Sequence, residues 1–191
     1  MWLLLSLNHT LLPSYPSFQP PFVLSVNQLS GQEKILDLGC GWGAMLKFLR
    51  DSGYQGELFG LTLAKEQLVY AKQELNLDVK LKNFVTDSFD DRNYDRIFSI
   101  GALEHVRPQE LSALYHKIYD ALTPGGLAVH QFFSFNKEPY PVSAIALQIF
   151  SPARCLSYIT NILKQLTAQV SKLPTTPSTI INRQLVLGTN D

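Results

Sequence analysis

The stretch 34–43 constrains the fold of this chain most strongly, because a short apolar run meets three alternating glycines there. The run 35–38 is too short for a helix, carries one acid, Asp37, and is typical of a buried parallel strand. The glycines can adopt backbone angles that side chains forbid, and they let a ligand approach the main chain. They are Gly39, Gly41 and Gly43. A helical segment follows at 44–50, and strand, glycine turn and helix together predict a nucleotide site at the carboxyl edge of a doubly wound sheet.

Two classes of nucleotide fit this turn. Gly39, Gly41 and Ala44 satisfy the dinucleotide pattern G-x-G-x-x-G/A, which also requires an acid about 20 residues further on. The candidate strand end there, 60–63, has no acid. Asp37, two residues before the first glycine, resembles instead the first motif of class I S-adenosylmethionine (SAM) methyltransferases. A tight turn without a ligand is the third interpretation, and the entropy cost of three glycines counts against it.

Apolar segments of strand and helix character alternate from residue 34 to residue 133. Further strands are predicted at 57–62, 79–81, 95–100 and 127–133, and helices at 64–75 and from Pro108 onward. Thr62 is expected to cap the helix at 64–75, and the turn 124–126 is expected to separate the last helix from the last core strand. This alternation predicts an α/β fold with a doubly wound, mostly parallel sheet of Rossmann-like type.

The 191 residues suggest one domain in three parts. Residues 1–30 are expected to form an N-terminal appendage and 31–135 a SAM-binding core. Residues 136–191 are expected to form a short apolar and basic segment that completes the sheet with a strand at 180–187.

Composition excludes some partners and compartments. The net charge is zero, so nucleic acid is not an expected partner. Two cysteines are too few for a disulfide framework, which favours a reducing, cytoplasmic location. The apolar run at 2–7 is too short to span a bilayer and lacks the positive flank of a signal peptide.

The segment 139–190 carries four cations and no acid. Together with an apolar run at 142–150 and an amphipathic pattern at 156–170, this charge predicts peripheral contact with a membrane surface. A helix packed on the sheet is the alternative interpretation.

Two segments resemble one family. Residues 60–67 (GLTLAKEQ) and 95–106 (DRIFSIGALEHV) are similar to motifs of the cyclopropane-fatty-acyl-phospholipid synthases and mycolic acid methyltransferases. The resemblance implies a SAM-dependent enzyme that transfers a methyl or methylene group to a lipid acyl chain or another small acceptor. Small-amine N-methyltransferases share much of this core and are one alternative. A SAM-binding protein without catalysis is the other, because the regions 1–30 and 134–179 are shorter than in the family.

The same resemblance implies which residues surround SAM. Those of the first motif are Asp37, Gly39, Gly41 and Gly43, with the glycine backbone near the methionine and ribose. Those around the ribose and adenine are Thr62, Leu63 and Gln67, with the adenine edge held by Asp87 and Ser88. Those on the side of the methyl group are Ile100 and Gly101.

Glu104 and His130 match positions that hold a bicarbonate ion near the methyl group in this family. The resemblance therefore implies a proton-handling site. An acid at a helix start and a core histidine in a buried strand are the alternative interpretations, and no catalytic tyrosine is assigned in 134–179.

Overall fold

The computed structural model describes residues 2–6, 29–90 and 93–132. The described strands are β1 Trp2–Ser6, β2 Ile35–Leu38, β3 Leu58–Thr62, β4 Asp78–Leu81, β5 Tyr94–Ile100 and β6 Leu122–Phe132. The described helices are α1 Ala44–Asp51, α2 Lys65–Gln73 and α3 Pro108–Ala121, with a 3₁₀ turn at Leu103–His105. The predicted strand at 180–187 and the apolar and amphipathic segments of the tail lie outside the described residues.

The strands form one sheet in the order β1-β6-β5-β2-β3-β4, and every neighbouring pair is parallel. From β2 the chain proceeds outward through β3 to β4, whereas β5 and β6 lie on the other side of β2. The order therefore reverses between β2 and β5. In open parallel sheets, ligands bind in the crevice that such a reversal leaves at the carboxyl ends of the strands. The predicted α/β fold with a doubly wound sheet is confirmed.

Side chains of β2 alternate between two apolar clusters, one on each face of the sheet. Leu36 and Leu38 belong to the cluster beneath α3, whose buried residues include Leu111, Leu114 and Ile118. Ile35 belongs to the cluster beneath α1 and α2, with Met45, Leu46, Leu49 and Ala71. Burial on both faces is characteristic of strands in parallel sheets and explains why this run is almost wholly apolar.

The start of β6 differs from the sequence prediction. The chain passes from Ala121 into β6 at Leu122, before the turn 124–126. Leu122 pairs with Tyr94 of β5, and the next pair is Arg96 with Leu127, so a bulge interrupts the ladder. Thr123 supports this bulge, with its Oγ1 2.9 Å from Asp95 Oδ1. The prediction that the turn precedes the strand was wrong, because Leu122, which comes before the turn, already pairs with β5.

The prediction that Thr62 caps the following helix was also wrong. The N-cap of α2 is Ala64, and no side chain makes a capping hydrogen bond there. Thr62 is the last residue of β3, and its hydroxyl donates to Gln67 Oε1 at 2.5 Å. This hydroxyl therefore links the strand end to the helix rather than capping it.

β1 is a strand that the sequence analysis did not predict. Trp2–Ser6 pairs in parallel with Ala128–Phe132 at the edge of the sheet. No helix within 2–6, 29–90 and 93–132 is both long and apolar enough to cross a membrane.

Candidate functional site

The glycine turn follows β2 directly, and its three glycines have positive φ angles of 79°, 56° and 84°. A Cβ on Gly39 would lie 2.7 Å from Ala102 Cβ, and one on Gly43 would lie 2.7 Å from Leu77 Cδ1. Tight packing therefore explains two of the glycines. A Cβ on Gly41 would have no heavy atom of the described chain within 4 Å. The backbone of Gly41 thus faces open space, as a ligand-binding turn requires.

Asp37 is an almost fully buried acid in the centre of the sheet. It is 3% exposed and lies in register between Gly60 of β3 and Phe98 of β5. Burial raises the pKa of this carboxyl to about 8, because the low-dielectric interior disfavours its charge. The group is therefore mostly protonated at neutral pH. It would ionise readily beside a ligand cation, since an opposite charge lowers the pKa of a buried acid.

Thr62 and Gln67 form a polar pair at the end of β3. Thr62 is buried, and its hydroxyl donates to Gln67 Oε1, so the amide NH₂ takes no part in this bond. The backbone of β3 is tied to the glycine turn, because Cys40 N donates to Leu61 O at 2.9 Å. Leu63, the next residue, is 66% exposed. The structure therefore brings Thr62, Leu63 and Gln67 to the same edge of the sheet as the turn.

Trp42 is a residue of this edge that the sequence analysis missed. It is 53% exposed, lies between two turn glycines, and contacts Tyr70 of α2 edge to face with ring centroids 5.4 Å apart. An aromatic residue between two glycines of a binding turn was the signal that could have identified it. Trp42 and Tyr70 therefore form an exposed aromatic pair next to Gly41 in the turn.

The loop after β4 borders the turn, since Phe84 Cε1 would lie 3.5 Å from a Cβ on Gly39. Asp87 uses its carboxylate within this loop, accepting from Asn83 N and Thr86 Oγ1, each at 2.9 Å. These bonds hold its pKa below the usual range. Ser88 lines a cavity of about 370 Å³ formed with residues of α3. None of the turn glycines is among the residues that line this cavity, and the adenine roles of Asp87 and Ser88 stay predictions.

The carboxyl ends of β5 and β6 form the other side of the crevice. Gly101 has a φ of 64°, and its N–H donates to Gln131 O at 3.0 Å. Ile100 is half-buried just before it. Glu104 lies in the 3₁₀ turn Leu103–His105 that follows β5. Ile100, Gly101 and Glu104 are therefore all placed at the carboxyl edge of the sheet.

His130 lies inside the sheet, fully buried on the face that α3 covers. Its Nδ1 lies 2.9 Å from Ser99 Oγ, and its ring packs edge to face on Tyr115 with centroids 5.8 Å apart. Burial lowers the pKa of the imidazole to about 3, so His130 is neutral at physiological pH. A neutral imidazole can exchange hydrogen bonds with an anion or a proton donor. The bicarbonate role of Glu104 and His130 stays a prediction.

A parallel sheet with a glycine turn at the point where its strand order reverses defines the Rossmann-like class of nucleotide-binding folds. The sequence profile described as mycolic acid cyclopropane synthetase matches residues 21–174, and the chain belongs to that family. The resemblance seen in 60–67 and 95–106 is confirmed.

Three known proteins illustrate the relationship. A probable fatty acid methyltransferase of Pseudomonas putida is 31% identical over 110 residues, which are 54% of this chain and 27% of that protein. The cyclopropane synthase MmaA2 of Mycobacterium tuberculosis shares the fold, with a TM-score of 0.68 and 23% identity over 79% of this chain and 59% of that one. Coclaurine N-methyltransferase, solved with N-methylheliamine and SAH, gives a TM-score of 0.55 and 25% identity over 65% of this chain and 38% of that one. The chain thus spans between 27% and 59% of these proteins.

Proposed function

We propose that this chain binds SAM at the glycine turn and transfers a methyl or methylene group to a lipid acyl chain or another small acceptor. The observation that carries the proposal is the open backbone of Gly41 at the crevice of the sheet. The two other turn glycines are explained by packing, whereas a Cβ on Gly41 would contact no heavy atom of the described residues. Family membership and the SAH-containing structure of coclaurine N-methyltransferase support SAM as the nucleotide.

The residues at this edge suit the chemical groups of SAM. Asp37 offers a carboxyl that becomes charged beside a cation, and SAM carries both an ammonium and a sulfonium. The NH₂ group of Gln67 can donate to ribose hydroxyl oxygens, with Thr62 fixing the orientation of the amide. The exposed side chains of Leu63 and Trp42 offer apolar surface for the adenine ring. A polar amide in place of an acid explains why the strand end at 60–63 has no carboxylate.

Bound SAM supplies an electrophilic methyl group on a sulfonium. The chain contributes binding and orientation, which for a well-aligned pair of reactants can remove about 7–11 kcal/mol of the barrier. Ile100 and Gly101 lie on the far side of the crevice from Thr62, where the acceptor would approach. Glu104 lies in the turn after Gly101, and we propose that it holds an anion such as bicarbonate or accepts a proton.

The lipid acceptor is supported by the similarity to a probable fatty acid methyltransferase. A small-amine acceptor is the second candidate, because coclaurine N-methyltransferase shares the fold at 25% identity. A cytoplasmic location and peripheral contact with membranes also belong to the proposal, on the composition of the sequence.

Two measurements test the function. In calorimetric titrations with SAM and with NAD, we expect heat with SAM alone, and binding of NAD without SAM would overturn the assignment. Incubation with methyl-labelled SAM and either a lipid extract or a metabolite extract then identifies the acceptor. We expect label in the lipid fraction. Label in small amines would favour the second candidate, and binding of SAM without any labelled product would indicate a non-catalytic SAM-binding protein.

A further inference from the structure

Gln131 is a buried amide whose hydrogen-bonding capacity is not used by the residues that the structure describes. It is 1% exposed, and within the described part of the chain neither its Oε1 nor its Nε2 has a hydrogen-bond partner. Native proteins rarely bury a polar side chain in this way, and each such group calls for an explanation. A hydrocarbon side chain of similar size would fill the same space without the desolvation cost.

Gln131 lies beside the acceptor side of the crevice. It is next to the last residue of β6 and pairs in register with Ile100 of β5. Its carbonyl accepts the hydrogen bond from Gly101 N. Because side chains alternate along a strand, Gln131 is on the sheet face opposite His130 and shares its face with Val129. That face carries the cluster against which Ile100 packs.

We propose that Gln131 determines acceptor specificity by hydrogen bonding to an oxygen-bearing group of the acceptor. The inference rests on the proposed function. An amide is neutral and offers both donors and an acceptor, so it complements a hydroxyl or a carbonyl rather than a charged group. A bare hydrocarbon chain in the same place would leave both amide atoms unpaired. The acceptor class is therefore an acyl chain that carries an oxygen substituent.

The discrimination has a physical basis in the cost of an unpaired amide. A site built to hydrogen-bond a substrate group rejects the analogue that lacks it, because its own buried polar atoms are then left without partners. A purely apolar pocket cannot reject an added hydroxyl as strongly. Replacing the amide by an apolar side chain should therefore remove the preference for the hydroxylated acceptor, while methyl transfer itself continues.

The experiment compares two acceptors that differ in one hydroxyl. Phospholipid vesicles with oleoyl chains and vesicles with ricinoleoyl chains are each incubated with methyl-labelled SAM and either the native chain or Gln131→Met. We expect native kcat/KM to favour the hydroxylated chain by about tenfold, the worth of one net hydrogen bond. In Gln131→Met this ratio should fall to near one, while the affinity for SAM stays unchanged.

Thermal unfolding of Gln131→Met gives an independent readout. An amide without partners in the protein can be replaced by methionine with no loss of Tm, whereas a marked fall in Tm would mean that the amide serves the fold, and would overturn the inference. An unchanged acceptor ratio with normal labelling would overturn the role of Gln131 alone. Binding of SAM without label in either lipid would overturn the lipid acceptor as well.

Discussion

Gly41 and Gly53 share a backbone conformation but differ in position. Their φ angles are 56° and 84°, and neither would place a Cβ within 4 Å of another heavy atom of the described chain. Gly41 lies in the glycine turn after β2, whereas Gly53 follows the end of α1. We predict that Gly41→Val abolishes SAM binding measured by calorimetry, because the branched side chain would occupy the space above the turn.

Gly53→Val is the matched control for that prediction. Both substitutions force a β-branched residue into the left-handed region, at a cost of about 1–2 kcal/mol. Their effects on Tm should therefore be similar, while Gly53→Val should bind SAM like the native chain. Equal SAM affinity in the two variants would contradict the assignment of Gly41 to the cofactor site.

The pH dependence of stability should report the buried carboxyl of Asp37. Its pKa is raised from 3.8 to about 8, so the folded chain holds a proton that the unfolded chain has lost. The stability linked to this group is complete below the unfolded pKa and is lost as pH rises toward about 8. We predict that, relative to Asp37→Asn, the free energy of unfolding of the native chain falls by at least about 1 kcal/mol between pH 4 and pH 8. Urea unfolding of both chains across this range measures it, and a constant difference would contradict the raised pKa.

Glu104 separates the proton-handling interpretation from that of a simple acid at a helix start. We predict that Glu104→Gln keeps SAM affinity within a few-fold and lowers turnover by ~10²-fold or more, the usual contribution of a positioned acid or base. Steady-state assays of label transfer from SAM to the acceptor, with and without added bicarbonate, measure the effect. The bicarbonate role is falsified if the variant turns over normally, and plain methyl transfer without a base then becomes the better mechanism.

At the scale of elements, β3 packs on the glycine turn through a residue that has no side chain. A Cβ on Gly60 would lie 2.7 Å from Cys40 Sγ and 2.9 Å from Leu46 Cδ1. We predict that Gly60→Ala lowers the free energy of unfolding by about 1–3 kcal/mol, because the core is overpacked there. Chemical denaturation measures the loss. Adding Cys40→Ala should restore part of it, and full additivity of the two changes would argue against the collision.

The elements differed in how well the sequence predicted them. The strand at 35–38 was predicted because an apolar run before glycines has few alternatives. The start of β6 was missed because Leu122 and Thr123 are followed by a proline and two glycines, which locally indicate a turn. Only the pairing of Leu122 with Tyr94 across the sheet reveals the strand. β1 was missed for the same reason, since a five-residue strand depends on its partner rather than on its own pattern.

The site was predicted unevenly for a related reason. Gly41 and the pair of Thr62 and Gln67 lie together at the carboxyl edge of the sheet, because the sequence there encodes a local turn after a strand. Gln131 and Trp42 were not predicted as site residues. The burial of Gln131 and the exposure of Trp42 depend on parts of the chain that are distant in sequence. Local sequence determines turns well, whereas the surroundings of a side chain are set by tertiary packing.

At the scale of the whole molecule, the charge of the sequence predicts where the protein acts. The acid-free segment 139–190 carries four cations. We predict that the chain co-sediments with anionic phospholipid vesicles at low salt and is released at high salt, since each cation near such a surface contributes about 1 kcal/mol. Neutral vesicles are the control. Absence of binding to anionic vesicles at low salt would contradict the prediction.

The pairing of β1 with β6 has a consequence for how the chain reaches its fold. Trp2–Ser6 contacts Ala128–Phe132, so this edge of the sheet joins segments that are far apart in sequence. Closing so long a loop costs entropy before any contact forms, and such long-range pairing slows folding. The central strands β2 to β5 are closer in sequence and can assemble first. During synthesis, β1 must therefore wait with its backbone unpaired until β6 has emerged, and this interval exposes the chain most to wrong pairing with another strand edge.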